Sequence, residues 1–301
     1  MNPNSFGTMT ILKNITVLLI LVLCCWIPAL SKPSHLYASG ADNEGTSTLY
    51  RLNVNTGAAK PVGIFSGVDD IHLVGGLAFD TDSGILYSMA LKNGPYPTLS
   101  LSGLYTVDVK TAIASLVGVS APADILFPGG LAYDSNQGVL YATGINSVGS
   151  IVRSAVYTVD PLTGIASVAS VFVPYDLGSG GLAYDPAHDL LYATGTTNME
   201  GVSALFVINV NNHSTNLVGY QTPDAFLGFG GLAFDSSNGI LYATGYDINQ
   251  AGSARSFLYV VDPATGEATK VGPTGQVGIE FGGLTFVSQR KADFVSHGRG
   301  N

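Results

Sequence analysis

A six-residue phrase recurs along this chain at nearly constant spacing, and that recurrence limits the fold more than any other feature. It reads Gly75-Gly-Leu-Ala-Phe-Asp80 and returns in almost the same letters at Gly129, Gly180 and Gly230, with a last copy, Gly282-Gly-Leu-Thr-Phe-Val287. The spacings are 54, 51, 50 and 52 residues. A period near fifty marks a repeat architecture in which each unit buries its apolar face only against its neighbours. Three further phrases ride on the same period. Leu-Tyr pairs stand at Leu36, Leu86, Leu140, Leu191 and Leu241, and a run of the type Leu258-Tyr-Val-Val-Asp-Pro-Ala-Thr-Gly266 begins also at Leu49, Leu104, Val156 and Leu205. A weaker phrase ends in Val-Gly at Gly63, Gly118, Gly219 and Gly272.

Each phrase is a short apolar run bounded by Gly, Asp, Asn or Pro, which is the signature of a strand. Nothing between Lys32 and Val287 sustains a 3.6-residue apolar period over the length of a helix. Turns such as Asp160-Pro161-Leu-Thr-Gly164 place Pro where φ is fixed and Gly where φ can be positive, as a hairpin requires. Four strands per repeat, here called A (Gly-Gly-Leu-Ala), B (Leu-Tyr-Ala-Thr), C (Leu-Tyr-x-Val-Asp) and D (Val-Gly), define an all-β fold: a five-bladed β-propeller of four-stranded antiparallel blades. The first phrase met is B and the last is A. The C-terminal strand is therefore expected to pair into the N-terminal blade and close the ring, leaving no open edge there.

The repeat resembles those of YVTN, NHL and lactonase-like propellers, in which Gly-Ile-Ala-Val-Asp-Pro leads to Leu-Tyr-Val-Thr and then Val-Ile-Asp-x-x-Thr-Gly. Gly180–Gly195 and Leu258–Gly266 match best, and the resemblance covers about residues 35–288. It implies the architecture; the class contains binding proteins, scaffolds and enzymes, so it leaves activity open.

Residues 1–31 read as a secretory signal peptide. Ile15–Leu30 is apolar and uncharged, Lys13 precedes it, and Ala29-Leu30-Ser31 offers small residues for cleavage. Sixteen residues are short for a span, so an uncleaved anchor is the lesser reading. Both cysteines, Cys24 and Cys25, and the single Trp26 fall in this segment. The mature chain then has no disulfide and no thiolate metal site. Its charge becomes −9 − 1 = −10, since only Lys13 leaves. Such acidity argues against nucleic acid, and no membrane association is expected after cleavage. The organisation expected is a signal at 1–31, a propeller at 32–288 and a disordered tail at 289–301, in a secreted or periplasmic monomer.

Function is expected where the repeats differ, in the D-to-A and B-to-C loops around one mouth of the central channel. Of fifteen tyrosines, eleven hold repeat positions; Tyr96, Tyr175, Tyr220 and Tyr246 do not, and all four fall near those loops. A tyrosine offers a flat apolar face with a hydroxyl tip, suited to a sugar ring or a peptide; such rings also simply cover strand ends. Carboxylates from every blade join them: Asp69, Asp70, Asp124, Asp176, Asp224 and Glu280 in D-to-A loops, and Asp42, Glu44, Glu200 and Asp247 in B-to-C loops. His72 lies beside Asp69 and Asp70, the one place where a general base with an acidic partner fits.

The expected ligand-binding set is Tyr96, Tyr175, Tyr220, Tyr246, Asp70, His72, Asp124, Asp176 and Asp224. No cofactor is expected; Ca²⁺ is the one ion these oxygens suit. Asp80-Thr-Asp82-Ser-Gly84 looks like part of a calcium loop, but its counterparts Asp134–Gly138 and Asp235–Gly239 make a hairpin turn the simpler reading. The five histidines form no zinc spacing, and no nucleophile elbow or phosphate loop is present. Non-catalytic binding of a carbohydrate or an envelope protein is thus favoured over two alternatives. One is a carbohydrate-active hydrolase with opposed Asp70, Asp124, Asp176 and Asp224. The other is a protein scaffold whose mouth is plugged by Phe127, Phe229 and Phe281.

Overall fold

The computed structural model describes residues 35–42, 44–67, 71–92, 101–120, 129–148, 151–172, 175–177, 180–197, 202–212, 214–221, 225–227, 230–247 and 255–287. The expected signal segment and C-terminal tail lie outside these residues. The first blade supplies β1 (His35–Ala41), β2 (Ser47–Leu52) and β3 (Ala59–Ile64). The second comprises β4 (Ile71–Asp80), β5 (Ile85–Lys92), β6 (Leu101–Val107) and β7 (Ala114–Val119). The third has β8 (Leu131–Asp134), β9 (Val139–Val148), β10 (Ile151–Val159) and β11 (Ala166–Phe172). In the fourth, a two-residue strand β12 (Tyr175–Asp176) precedes β13 (Leu182–Asp185), β14 (Leu190–Thr197), β15 (Ser203–Asn209) and β16 (Thr215–Tyr220). The fifth repeats that plan with β17 (Ala225–Phe226), β18 (Leu232–Asp235), β19 (Ile240–Asp247), β20 (Arg255–Val261) and β21 (Ala268–Val277). Last comes β22 (Glu280–Val287), which pairs antiparallel with β1, so the first blade has the order β22-β1-β2-β3. The ring closes as the order of phrases requires.

Glycine explains why five blades meet so tightly. A Cβ on Gly76 would lie 2.2 Å from the Leu131 nitrogen, one on Gly130 2.2 Å from that of Leu182, and one on Gly181 2.4 Å from that of Leu232. Gly231 meets Gly283 in the same way, and Gly283 meets Gly75, which completes the circle. The second glycine of each pair is thus the place where one innermost strand touches the next blade's backbone. A hydroxyl on strand B secures each approach: Thr143, Thr194 and Thr244 accept from the amides of Gly130, Gly181 and Gly231 at 2.7–2.9 Å. Ser39 donates to the Gly75 carbonyl at 2.7 Å in the first blade.

The Val-Gly phrase acts at the outer rim. In all five blades the C–D ladder shifts register at the same step, as at Leu49/Tyr50 and Leu258/Tyr259, so that the residue before the glycine is the extra residue of a β-bulge. The glycine then abuts the next blade's C-to-D turn. Gly118 meets Thr163, Gly219 meets Thr265, and Gly272 meets Thr56 and Gly57 across the closure. The third blade lacks the phrase, with Ser170 at the glycine's register position, and the turn facing it in the fourth blade, after Asn209, lacks a glycine as well. The second blade's turn, which faces Gly63, also lacks a glycine and puts Ala112 at φ 60° instead.

Between blades lie five apolar clusters, each combining B- and C-strand side chains of one blade with A-strand leucine and aromatic side chains of the next. Repeat tyrosines fill much of this space, and burial is the first cause of the raised pKa of Tyr37, Tyr50, Tyr87, Tyr105, Tyr141, Tyr192 and Tyr242. A tyrosine that ionises later in the folded chain than in the unfolded one adds stability in full below the usual value near 10. That stability is lost as pH climbs from there through the folded pKa. Cooperative alkaline unfolding is therefore expected above pH 10, with tyrosinate absorbance rising together with loss of the β circular dichroism. Tyrosinate appearing well before unfolding would contradict it.

Candidate functional site

The two ends of the channel are built differently. At the D-to-A and B-to-C end, a serine that no earlier pattern singled out recurs in every blade. Ser47, Ser102, Ser154, Ser203 and Ser256 stand two residues before the aligned C-strand residues Leu49, Leu104, Val156, Leu205 and Leu258, and all five are buried. Ser154 Oγ accepts from the Leu177 amide at 3.0 Å, and Ser203 Oγ from the Leu227 amide at 2.9 Å. Ser256 Oγ donates to the Ile279 carbonyl at 2.7 Å. Each of these serines holds the segment that leads into the following blade's innermost strand. Their recurrence was visible in the letters, but serine reads as turn composition unless the repeats are aligned.

Of the expected site residues, Tyr96, Asp70, Asp124 and Asp224 lie outside the described residues, as do Asp69, Glu200, Phe127 and Phe229. His72 is placed by its backbone opposite Leu91, and Tyr175 opposite Thr197. Asp176 follows Tyr175 on β12, and its Oδ1 accepts from Ser154 Oγ at 3.2 Å. Tyr246 and Asp247 end β19 rather than standing in a loop, where they pair with Phe226 and Ala225. The Tyr246 hydroxyl bonds to Glu280, joining the fifth blade to the closing strand; burial, then the Glu280 charge, pushes its pKa up. Asp247 forms an ion pair with Lys270, whose Nζ stands 4.6 Å from the centre of the Phe257 ring. Asp42 caps its own loop, its Oδ1 accepting from the amides of Glu44 and Thr46. Phe281 does not stand alone in the mouth: it is buried and packs edge-on against Tyr50 with ring centres 5.1 Å apart. The described mouth carboxylates Asp176, Asp247 and Glu280 therefore each have a hydrogen-bonded or ionic partner.

Tyr220 differs from the other described tyrosines. It ends β16, the outer strand of the fourth blade, with 56% of its surface exposed. Next to it Gln221 is only 6% exposed, and neither its Oε1 nor its Nε2 has a hydrogen-bond partner among the described residues. A buried amide left unpaired costs roughly 1–3 kcal/mol, and such a group calls for an explanation.

The opposite, A-to-B end holds a cavity of about 180 Å³. One aromatic from each blade lines it: Phe79, Tyr133, Tyr184, Phe234 and Phe286. The leucine of each Gly-Gly-Leu lies deeper, and Thr81, Ser135, Ser236 and Ser237 stand at the turns. The turn aspartates spend Oδ1 on their own backbone: Asp80 accepts from Asp82 and Ser83, Asp134 from Asn136 and Gln137, and Asp235 from Ser237. Gly84, Gly138 and Gly239 follow at φ 76°, 69° and 69°. These are the hairpin turns expected from the repeated phrase. In the fourth blade Asp189 takes the glycine's place at φ 52°, a strained choice for a side chain. Its carboxylate accepts from the Tyr184 hydroxyl and from Asn136 Nδ2, both at 2.7 Å, which ties the third and fourth blades together. Burial, then Asp189 and Asp134, drives the Tyr184 pKa up; Tyr133, beside Asp80, is pushed up to about 12, again with burial first.

No protein-family model and no curated protein sequence matches the chain. Solved structures do. A chain in the crystal structure of a nidogen/laminin complex aligns at 14% identity and TM-score 0.51, covering 85% of this chain and 98% of that one. A candidate exo-β-1,3-galactanase from Bifidobacterium bifidum aligns at 12% identity and TM-score 0.52, covering 78% and 86%. A gluconolactonase from Xanthomonas campestris gives 16% identity and TM-score 0.46, covering 82% and 79%. At these identities the likeness is one of fold. The chain is a β-propeller repeat protein, and its structural neighbours include both binding proteins and enzymes.

Proposed function

We propose that this chain is a secreted or periplasmic, monomeric and non-catalytic binding propeller of the YVTN/NHL-like kind. Its ligand, a carbohydrate or a segment of an envelope protein, is taken at the D-to-A and B-to-C end. The observation that carries this reading is Tyr220, a large aromatic more than half exposed on that side, adjoining a buried amide with no partner among the described residues. Asp176 on β12 and Tyr246 on β19 extend the candidate set to the strand ends of the fourth and fifth blades. Asp176, the one described member of the opposed-acid set, is hydrogen-bonded to Ser154, which supports binding over a free acid at that position.

A glycan and polysaccharide array with the purified chain, with and without Ca²⁺, tests it. Binding is expected, and Tyr220→Ala should weaken it roughly tenfold while the melting temperature stays within a few degrees. Gln221→Leu should raise the melting temperature, because it removes an unpaired buried amide, and should weaken binding in the same protein. Affinity unchanged by both substitutions overturns the site. Turnover of any polysaccharide on the panel would replace binding by hydrolysis, with Asp176→Asn the first variant to assay.

A further inference from the structure

We infer that the A-to-B end of the channel is a second binding site, for a small organic cation of the quaternary or methylated ammonium type. The site lies at the far end of the channel from the one proposed above and is independent of it. Its shape is the first argument. About 180 Å³ is enclosed by one aromatic side chain from each of the five blades, above a floor of leucines. This volume suits a compact headgroup rather than a polymer, and aromatic walls attract an ammonium through the ring quadrupole.

Charge is the second argument. None of the described lining residues is cationic, and Asp235 is among them, its carboxylate held by Ser237 and Asn238. Behind Tyr184 the charge is unbalanced. The Tyr184 hydroxyl has one proton and donates it to Asp189. Asp134 lies on its other side, fully buried, and also raises that hydroxyl's pKa, so one proton faces two carboxylates. Two carboxylates that share one hydroxyl proton leave negative potential behind the ring, which a cation in the cavity would relieve. Tyr184 and Tyr133, hydrogen-bonded to carboxylates, present more electron-rich rings than phenylalanine does.

Among the described residues no group of three or more His, Cys, Asp or Glu is placed to hold a metal ion, which decides against one here. Thr81, Ser135, Ser236 and Ser237 supply hydroxyls at the turns, and a hard cation would need a shell of several oxygens. An alkylated ammonium needs no such shell.

Calorimetric titration of the full chain with choline chloride tests the inference, paired with 3,3-dimethylbutanol, the uncharged isostere. Choline should bind saturably with one site per chain, and the isostere roughly tenfold or more weakly. Phe234→Leu should weaken choline by a similar factor. Ser236→Lys changes an exposed turn residue at the opening and should abolish binding while leaving the fold intact, which keeps the test valid if the core variant misfolds. Tyr220→Ala, at the other end, should leave choline affinity unchanged. Equal affinity for the isostere, no effect of Ser236→Lys, or no saturable binding of choline overturns the inference.

Discussion

Gly130→Ala is expected to cost more stability than almost any surface or core truncation in this chain, although it adds a single methyl group. The new Cβ would lie 2.2 Å from the Leu182 nitrogen and 2.6 Å from both the Gly181 carbon and the Leu182 Cβ. Two of these three atoms are backbone, so no rotamer change relieves the clash. The third and fourth blades must separate, and the same approach repeats at Gly181, Gly231, Gly283 and Gly76 round the ring. A shift at one junction therefore propagates to the others. The amide of Gly130 would also lose its bond to Thr143 Oγ, and both groups are buried. A cost above about 4 kcal/mol is expected, in the range reserved for overpacking with loss of buried hydrogen bonds.

The informative comparison is Gly239→Ala, at φ 69° with nothing within 4 Å of the added atom. There only the backbone penalty remains, roughly 1 kcal/mol. Urea unfolding of both variants separates steric from conformational reasons for glycine. Similar midpoints for the two would mean that the channel wall is looser than the distances indicate.

Much of this was legible before any coordinates. A repeat states each structural demand five times, so Gly-Gly, Leu-Tyr and Val-Gly stood out by position, and the order B first, A last dictated which strand closes the ring. What stayed hidden were features that repeat only in pairs across blades. The Val-Gly glycine has no visible purpose until the neighbouring turn is laid against it. The five recurring serines, three of which anchor a loop, were hidden by their chemistry, since a buried serine and a turn serine look alike in sequence.

The site was less legible for another reason. Attention fell on irregular residues, where loops vary, whereas the enclosed cavity is lined by the most regular positions of all. The fifth letter of each Gly-Gly-Leu-Ala-Phe/Tyr phrase reads as core, and only the ring geometry turns five core residues into a wall. Conversely, Tyr246 looked like a loop residue and is strand, because β19 runs two residues beyond its glycine to pair with Phe226.

Removal of β22 should abolish the fold, and return of that strand as a separate peptide should restore it. Truncation after Val277 takes away Phe281, Leu284 and Val287, all buried, together with Phe286 at the cavity wall. At about 1.5–3 kcal/mol for each buried side chain, the three buried residues alone represent roughly 5–9 kcal/mol. That is comparable with the whole stability of an ordinary domain. The loss is also topological. β1 would present a bare edge from His35 to Ala41, and Gly75 and Gly231 would each face a gap where Gly283 stood. An exposed apolar edge recruits other chains, so aggregation is the expected fate of the truncated protein. A chain ending at Val287 keeps every strand and should melt as the full chain does. A synthetic 278–288 peptide added to the refolding truncation should recover cooperative melting. The same peptide with Leu284→Asp should not, because it places an unpaired charge against Leu36 and Tyr242 in the shared cluster. Native-like melting of the truncation without any peptide would mean that four blades and a three-stranded remnant close on their own, and the closing strand would lose the role argued for it.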